Sequence, residues 1–316
     1  MNTAEFIDKF FELLKKLGFE CPREYKIDEL ESSVRVFFEK NQEEFFNSGL
    51  NFVPKSDALK KIWNRYYLES SSRGDDLWNS KYVREKYSHV VDGCYFIYYP
   101  AKNPKRLIVN FSSMGKDRYD RYSRYWDPKE VWDGEEAFIF FKDDTYRYYL
   151  GSEDDPKYGV YFRIIRDFIG VYSLKSEHVY AVGGSMGGYA AIYYALSLDL
   201  GGAVVAAPQI DRQSMIAHKY ANWTKHSNQC GNNWKDLNYF AYAFEKLPYL
   251  YIEYGNYSSD VIAAEGIIKV YKEKKSLCIS RKASWDEHTV TDVLSKDLVS
   301  SVVDFFESNR KIDSIY

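Results

Sequence analysis

The stretch HVYAVGGSMGGYAAIYYAL, residues 178–196, joins a short apolar run, a glycine-flanked serine and a run of small residues without a break. Gly183, Ser185 and Gly187 form the pattern G-x-S-x-G, in which a strand turns sharply into a helix and presents a serine hydroxyl at the bend. A serine at such a bend has an unfavourable backbone conformation, and side chains two positions away would collide with the strand and the helix. The stretch therefore predicts a nucleophile elbow, with Ser185 as the nucleophile.

The chain around this stretch alternates between strand-like and helix-compatible runs. The predicted strands are RLIVNF (106–111), AFIFF (137–141), VYAV (179–182), AVVA (203–206), YLYIE (249–253) and LCIS (277–280). Such alternation predicts a mainly parallel sheet with helices on both of its faces. Before it, β-rich runs at 82–90 and 94–99 flank Asp92-Gly93, which predicts an antiparallel hairpin.

Helical spacing of apolar residues dominates the first part of the chain. It predicts helices over residues 6–17, 28–47 and 56–68, the first of them stopped by Gly18 and Pro22. The polar run ESSSRGDD, residues 69–76, predicts a linker. We therefore expect a helical N-terminal extension, residues 1–76, before a larger α/β domain, residues 77–316. Three roles stay open for the extension: packing against the sheet, forming a homo-oligomer, or docking a partner.

An antiparallel hairpin followed by a parallel sheet, with the elbow on the fifth strand, resembles the α/β-hydrolase fold. The resemblance covers about residues 81–308. The chain departs from a minimal version of that fold at 209–247, a segment rich in Asn, Trp, Tyr and His after the sixth strand. Insertions at this point usually cover the active site, so the segment predicts a cap.

Composition narrows the classes of protein. A chain of 316 residues that is 45% hydrophobic can bury a large core, and no apolar run approaches the roughly 20 residues of a membrane span. The first apolar stretch contains acidic residues, unlike a signal peptide, so we expect a cytoplasmic location. A net charge of −3 gives no general attraction to nucleic acid. The 30 tyrosines fit either a carbohydrate site or ordinary core packing.

Cofactor and metal motifs do not occur in the sequence. Its 4 cysteines lie far apart, without a C-x-x-C pair or a Cys/His cluster, so neither a zinc site nor a disulfide framework is predicted. Walker loops, dinucleotide fingerprints and metal-binding helix motifs are also missing from the sequence. We therefore expect chemistry that needs no bound cofactor.

A serine nucleophile needs a base to take its proton, and the base needs a carboxylate to orient it. The chain has 5 histidines, and His288 lies in SWDEHTVTDV, after the last predicted strand, where this fold carries its base. His288 is therefore the predicted base. An exposed loop histidine is the alternative, and contact with substrate stays open for His218 and His226 in the predicted cap.

The predicted acid is Asp260, which follows the strand YLYIE in NYSSDVIAAEG at the start of the next helix. The fold places its triad carboxylate just past this strand. The alternative for Asp260 is a helix cap, in which its side chain only accepts a backbone hydrogen bond. Glu253 would need a bulged strand to reach the site, and Asp286 is very close in sequence to the base, so both are second choices.

Acyl chemistry at a serine also needs hydrogen-bond donors for the oxyanion that develops. The amide of Met186, directly after the nucleophile, is the first predicted donor. The second should come from the loop after RLIVNF, where Ser113 or Met114 in SSMG stands in the place of the usual His-Gly. A hydroxyl of Ser112 or Ser113 is a further candidate.

Basic residues follow this loop in GKDRYDRYSRYW, residues 115–126. If this segment is helical, Arg118 and Arg121 share a face and, with Lys116, could bind a phosphate or carboxylate near the site. The alternative is a solvated surface helix whose aspartates compensate the positive charges.

The VGGSMGGYAA elbow, the loop SSMGKDRYDRYSRYW and the order Ser, Asp, His together resemble bacterial α/β-hydrolase-fold proteins of surface-polysaccharide synthesis, which include capsule O-acetyltransferases. This resemblance implies acetyl-CoA as the acyl donor and a sugar hydroxyl, in a glycan or another small molecule, as the acceptor. A cytoplasmic carboxylesterase is the second hypothesis, because hydrolysis is the commonest activity of the fold. The third hypothesis is a partner protein without catalysis, since fold alone does not prove activity.

Overall fold

A computed structural model of the chain describes residues 3–22, 27–72, 80–127, 131–217, 222–288 and 293–313. The chain divides into two compact units, residues 1–86 and residues 87–316. The domain boundary predicted at residues 76 and 77 lies between the described residues 72 and 80.

Helices build the N-terminal unit: α1 (Thr3–Lys16), α2 (Ile27–Lys40), α3 (Gln42–Asn47), α4 (Ser56–Ser72) and most of α5 (Ser80–Tyr87). Their core is rich in phenylalanine. The rings of Phe10, Phe38 and Phe45 lie 4.8–6.3 Å apart, and the indole of Trp63 donates a hydrogen bond to the carbonyl of Pro22 at 2.9 Å. This unit therefore has an aromatic core of its own.

Two sequence predictions for this unit are wrong. The single helix predicted over 28–47 is broken at Asn41, whose side-chain Nδ2 donates to the carbonyl of Phe37 at 2.8 Å. An asparagine that bonds the preceding turn in this way competes with helix continuation. The linker predicted over 69–76 begins inside α4, which extends to Ser72, and residues 73–76 lie outside the described residues. The helix predicted over 6–17 is confirmed, and Gly18 follows it at a φ of 79°.

An eight-stranded sheet forms the centre of the second unit. Its strands are β1 (Ser88–Val91), β2 (Cys94–Tyr99), β3 (Arg106–Phe111), β4 (Glu136–Phe141), β5 (Val179–Gly184), β6 (Gly202–Ala206), β7 (Tyr249–Tyr254) and β8 (Cys278–Lys282). They lie in the order β1-β2-β4-β3-β5-β6-β7-β8, with β3 to β8 parallel and β2 antiparallel to both of its neighbours. This is the α/β-hydrolase fold, which confirms the sequence prediction.

The first strand is shorter than predicted, because α5 occupies most of the run 82–90. Val83 and Tyr87 are buried four residues apart, which is the spacing of one helix face. A short run of aromatic and apolar residues fits either a strand or a helix, and burial of this face decides for the helix.

The described residues of the second unit also form the helices α6 (Tyr122–Tyr125), α7 (Tyr158–Val171), α8 (Met186–Leu198), α9 (Arg212–Ile216), α10 (Asn222–Gln229), α11 (Leu237–Phe240), α12 (Ser258–Glu273) and α13 (Lys296–Asp313). The segment 209–247 between β6 and β7 contains α9, α10 and α11. Among the helices in the described ranges, none has the length and apolarity that a membrane span requires.

Parallel strands bring their carboxyl ends to one edge of the sheet, where ligands bind in open α/β sheets. Ser113 follows β3, Ser185 follows β5, Gln209 follows β6, and Asp260 lies in the first turn of α12 after β7. Residues that are more than a hundred positions apart in sequence therefore meet at this edge.

The elbow depends on close backbone approaches that exclude side chains. A Cβ at Gly187 would stand 2.1 Å from the carbonyl oxygen of Phe111, and a Cβ at Gly183 would stand 2.1 Å from the carbonyl oxygen of Gly187. Both distances are far below van der Waals contact with a backbone atom. The two flanking glycines of G-x-S-x-G are therefore required by packing, as the sequence pattern predicts.

Gly187→Ala should destabilise the protein by roughly 3 kcal/mol or more, because β3 or α8 must move to admit the methyl group. Gly170→Ala is the matched control, since a Cβ at Gly170 in α7 meets no atom within 4 Å. The control should be neutral or more stable than wild type by about 0.5–1 kcal/mol, as expected for alanine in a helix. Urea unfolding of both variants measures the difference, and equal stabilities would contradict the packing argument.

Candidate active site

Ser185 lies at the bend between β5 and α8, with a φ of 54° and a ψ of −121°. Its amide donates to the carbonyl of Ala206 at 3.0 Å, and its own carbonyl accepts from the amide of Gln209 at 3.2 Å. A non-glycine residue at such a positive φ is strained and persists only where its surroundings hold it. The end of β6 therefore holds Ser185 in the conformation that presents its hydroxyl.

The structure brings Ser185, His288 and Asp260 into one chain of hydrogen bonds. His288 Nε2 lies 2.8 Å from Ser185 Oγ, and His288 Nδ1 lies 2.7 Å from Asp260 Oδ1. A carboxylate accepts hydrogen bonds, so Nδ1 carries the imidazole proton and Nε2 is the acceptor that faces the serine. The arrangement can move a proton from the serine hydroxyl to the imidazole.

Asp260 is nearly fully buried in the first turn of α12, and it does not act as the cap of that helix. Burial raises the pKa of its carboxyl, and the hydrogen bond with His288 partly offsets that effect. The N-terminus of a helix stabilises a nearby negative charge, which favours the ionised form at this position. Within the described part of the chain, Oδ2 has no hydrogen-bond partner, so His288 is the group that engages this carboxylate.

The second-choice acids bond other groups. Glu253 is buried on β7, where it accepts from the hydroxyl of Tyr251 at 2.8 Å and pairs with Arg281 at 3.5 Å. Asp286 is exposed and accepts from the side-chain amide of Asn256 at 3.1 Å. Both carboxylates are thus engaged by groups other than His288.

Of the two cap histidines, His218 lies outside the described residues. His226 is on α10, where Nδ1 faces the side-chain carbonyl of Gln229 at 3.1 Å and the ring packs on Tyr146 at 5.3 Å. Contact of either histidine with substrate stays a prediction.

Aromatic rings from the described part of the chain lie beside His288. The ring of Trp223, from α10 in segment 209–247, packs edge-on against the imidazole at 4.6 Å between centroids. The ring of Tyr257, just before α12, lies 6.2 Å away. Trp223 is itself buried, so this segment covers part of the imidazole.

The loop after β3 is fixed by hydrogen bonds to neighbouring strands and loops. Ser112 Oγ donates to the carbonyl of Phe141 at 2.8 Å, and the carbonyl of Ser112 accepts from the hydroxyl of Tyr149 at 2.8 Å. The amide of Ser113 donates to Asp120 Oδ2 at 2.7 Å, and the amide of Asp120 donates to Ser112 Oγ at 2.8 Å. This loop is therefore rigidly held beside the elbow.

These bonds bear on the predicted oxyanion donors. The Ser113 amide is engaged by Asp120, so Met114 is the loop amide that we retain as the second donor. Met186 is the first residue of α8, and an amide at that position has no carbonyl partner within its own helix. Its role as the first donor stays a prediction that agrees with this position.

The basic residues after the loop are not on a common helix face. The prediction that Arg118 and Arg121 share a face required residues 115–126 to be helical. Residues 115–121 instead form turns, and α6 begins only at Tyr122. Arg118 Nε donates to Asp120 Oδ1 at 2.6 Å, and Arg121 is 3% exposed, with Asp120 4.0 Å from its guanidinium. Lys116 is exposed. Arg121 thus belongs to the interior, and Lys116 and Arg118 are the two that a ligand can reach from solvent.

Three residues of the site were missed by sequence reasoning: Gln209, Trp223 and Asp120. Gln209 Nε2 donates to Ser185 Oγ at 3.2 Å. Its place at the carboxyl end of a parallel strand was the signal that could have found it. Asp120 and Trp223 come from irregular or inserted segments, and their sequence neighbourhood contains no comparable signal.

A cavity of about 270 Å³ lies elsewhere on this unit. Its lining includes Ser176, Gly201 and Pro248, which precede β5, β6 and β7, so it opens at the amino ends of the strands. The Ser185 hydroxyl is at the opposite edge of the sheet. This cavity is therefore separate from the candidate active site.

Among solved structures, the capsule O-acetyltransferase of Neisseria meningitidis serogroup A is 19% identical, with a TM-score of 0.49 over 70% of this chain and 92% of that chain. An S-formylglutathione hydrolase from Agrobacterium tumefaciens is 14% identical, with a TM-score of 0.49 over 71% and 91%. Fluorophosphonate-binding serine hydrolase F of Staphylococcus aureus is 14% identical, with a TM-score of 0.47 over 69% and 96%. The solved structures to which the chain is similar thus include both enzyme classes that the sequence resembles, an O-acetyltransferase and serine hydrolases. No family model and no curated protein matches the sequence.

Asp260→Asn replaces a buried carboxylate by a neutral side chain of the same shape. Because burial raises the pKa of the folded carboxyl above its ordinary value of 3.8, wild type should lose stability as the pH rises from there through the raised pKa. The variant has no carboxyl at this position and therefore does not lose this stability. Its free energy of unfolding minus that of wild type should rise over this pH range and stay constant above it. Urea unfolding at steps between about pH 4 and 8 measures the difference.

Asp167→Asn is the charge control for this series, because it removes an exposed carboxylate from α7. If the free energy of unfolding of both variants changes with pH in the same way relative to wild type, burial of Asp260 is not the cause of the pH dependence.

Proposed function

We propose that the chain is a serine acyltransferase in which Ser185, His288 and Asp260 act as a catalytic triad. The observation that carries the proposal is the chain of hydrogen bonds from Ser185 Oγ through His288 to Asp260, at 2.8 and 2.7 Å. A strained serine, a base with an acceptor nitrogen and a carboxylate that orients it are the parts that acyl transfer needs.

In the first half-reaction, Ser185 Oγ attacks the carbonyl carbon of an acyl donor while His288 Nε2 takes the hydroxyl proton. Asp260 stabilises the imidazolium that forms and keeps Nδ1 protonated. The tetrahedral intermediate then collapses, the bond from carbon to the leaving group breaks, and His288 returns the proton to that group. Ser185 is left as an ester.

In the second half-reaction, an acceptor hydroxyl gives its proton to His288 Nε2 and its oxygen attacks the ester carbon. The bond from that carbon to Ser185 Oγ breaks, and Oγ takes the proton back from His288. The negative oxygen of both intermediates would be stabilised by the amides of Met186 and Met114. Each such donor is worth about 3–4 kcal/mol in well-studied serine enzymes.

Burial of the site favours transfer over hydrolysis. Ser185 is 5% exposed, and Trp223 covers one side of His288. A transferase must protect its acyl-enzyme from water until the acceptor arrives, and a closed site does this. A carboxylesterase has no such requirement. This observation supports acyl transfer, with segment 209–247 acting as a cap.

For the substrates, we propose acetyl-CoA as the donor and a sugar hydroxyl, as in a bacterial surface polysaccharide, as the acceptor. The exposed Lys116 and the half-buried Arg118 lie just after the proposed oxyanion loop and could contact the phosphates of the donor. Arg121 would act from the interior, through Asp120. Because acetyl-CoA is made and used in the cytoplasm, we expect the protein to work there.

Brief exposure of the protein to acetyl-CoA should give a single acetyl adduct on Ser185, because the thioester is attacked by the hydroxyl that His288 activates. Intact-protein mass spectrometry followed by peptide mapping measures the adduct. Ser185→Ala should abolish it, whereas Ser308→Ala, which removes an exposed hydroxyl from α13, should leave it unchanged.

The second half-reaction separates the enzymatic hypotheses. Release of free CoA that rises with an added glycan supports a transferase, and fast cleavage of p-nitrophenyl acetate without any effect of the glycan supports an esterase. If neither acetyl-CoA nor a fluorophosphonate labels Ser185, both enzymatic hypotheses fail and a partner protein without catalysis remains.

A further inference from the structure

Gln209 is the first residue of segment 209–247, and the backbone before it is strained. Ala207 has a φ of 40°, and its amide donates to the carbonyl of Glu253 at 2.7 Å. Two residues later, the amide of Gln209 donates to the carbonyl of Ser185. The chain therefore leaves β6 through a turn that is bonded to β7 on one side and to the elbow on the other. This turn fixes where the side chain of Gln209 begins.

The side chain of Gln209 is directed to the nucleophile. Its Nε2 lies 3.2 Å from Ser185 Oγ, and the residue is 2% exposed. Because the Ser185 hydroxyl must give its own proton to His288, the group that faces Oγ from Gln209 has to be the donor, the NH₂. The other end of the carboxamide, Oε1, has no hydrogen-bond partner within the described ranges of the chain.

A buried carbonyl oxygen without a partner is unfavourable, and such groups in native proteins call for an explanation. A role in the fold does not explain it, because the backbone amide of Gln209 already ties this turn to Ser185. The side chain places one donor and one acceptor about two ångströms apart, which is the geometry of any carboxamide, beside the reacting oxygen. An occupant with a matching acceptor and donor would satisfy both.

We propose that Gln209 binds the acyl acceptor and that the acceptor carries two adjacent hydroxyl groups, a vicinal diol. This inference rests on the proposed function. Once Ser185 carries the acyl group, Oγ is an ester oxygen and accepts hydrogen bonds poorly, so Nε2 becomes available to another oxygen. The attacking hydroxyl accepts from Nε2 and gives its proton to His288. Its neighbour on the next carbon donates to Oε1.

This assignment gives Gln209 a role that the triad does not have. The triad activates any hydroxyl that reaches the ester, whereas the carboxamide selects a hydroxyl that has a neighbour. A site with buried groups that bond a substrate hydroxyl discriminates against an analogue without it, because those groups are then left unpaired. A lone alcohol gives its one proton to His288 and therefore leaves Oε1 without a partner.

The test measures how the acetyl-enzyme divides its acyl group between acceptors. Full-length protein is acetylated with p-nitrophenyl acetate in the presence of equal concentrations of cis-1,2-cyclohexanediol and cyclohexanol. Chromatography of the two acetate esters gives their ratio. This ratio does not depend on how fast Ser185 is acylated, so an effect of a substitution on the first half-reaction does not enter it. Wild type should favour the diol by at least about tenfold, the value of one good hydrogen bond.

Gln209→Met keeps the length of the side chain and removes both polar atoms, so the ratio should fall to about two, the statistical value for an acceptor with two hydroxyl groups. Gln209→Asn keeps the carboxamide one methylene shorter and should recover part of the preference. Gln213→Met, an exposed position on α9 in the same segment, is the matched control and should keep the wild-type ratio. Thermal unfolding of the three variants checks that each is folded.

The outcomes separate this inference from the proposed function. If Ser185 carries no acetyl group by mass spectrometry, the proposed function fails and the inference fails with it. If Ser185 is acetylated but Gln209→Met keeps the preference for the diol, or wild type has none, only the inference is overturned. A change in hydrolysis alone would assign Gln209 to the binding of water and would also overturn it.

Discussion

The contact between the backbone of α8 and the end of β3 is the constraint on which the rest of the structure depends. The carbonyl of Phe111 occupies the space that a side chain at Gly187 would fill. Because α8 can come this near, the loop that follows β3 lies beside Ser185. Asp120 and Tyr149 then fix that loop from two sides. The position of the proposed oxyanion donors therefore depends on the absence of a side chain at Gly187.

The site also concentrates groups that are unfavourable for folding. Ser185 and Ala207 have positive φ, Asp260 is a buried carboxylate with a raised pKa, and Gln209 has a buried carbonyl oxygen without a partner in the described chain. Such features survive only where the surrounding structure enforces them, and they collect at functional sites. Here the enforcing structure is the parallel sheet, whose central strands β5, β6 and β7 are buried along their whole length.

A structural feature could be predicted from the sequence where its signal lies in a short stretch of residues, and could not where it depends on distant contacts. The elbow, the strand alternation and the positions of Ser185, His288 and Asp260 depend on residue types at known points of a regular fold, and the structure places all three together. The helix at 80–87 and the break at Asn41 depend on which face is buried, which periodicity in a short run does not determine. The position of Gln209 at the carboxyl end of a parallel strand can be read from the sequence, but the burial of Arg121 and the direction of the Gln209 side chain depend on turns that carry no pattern. Tertiary packing alone decides those.

Segment 209–247 begins at the residue that contacts the nucleophile, and this position has an evolutionary consequence. The two ends of most of this segment are bonded to each other, since the amide of Leu237 donates to the carbonyl of Ile210 at 2.9 Å. Loops that close on themselves tolerate changes in length at little entropic cost. Most of the insertion can therefore diverge, or be exchanged for another, without moving the elbow. The position of residue 209 cannot shift in the same way, because its backbone amide donates to the carbonyl of Ser185. A lineage could thus remodel the outer walls of the site while inheriting the inner contact unchanged.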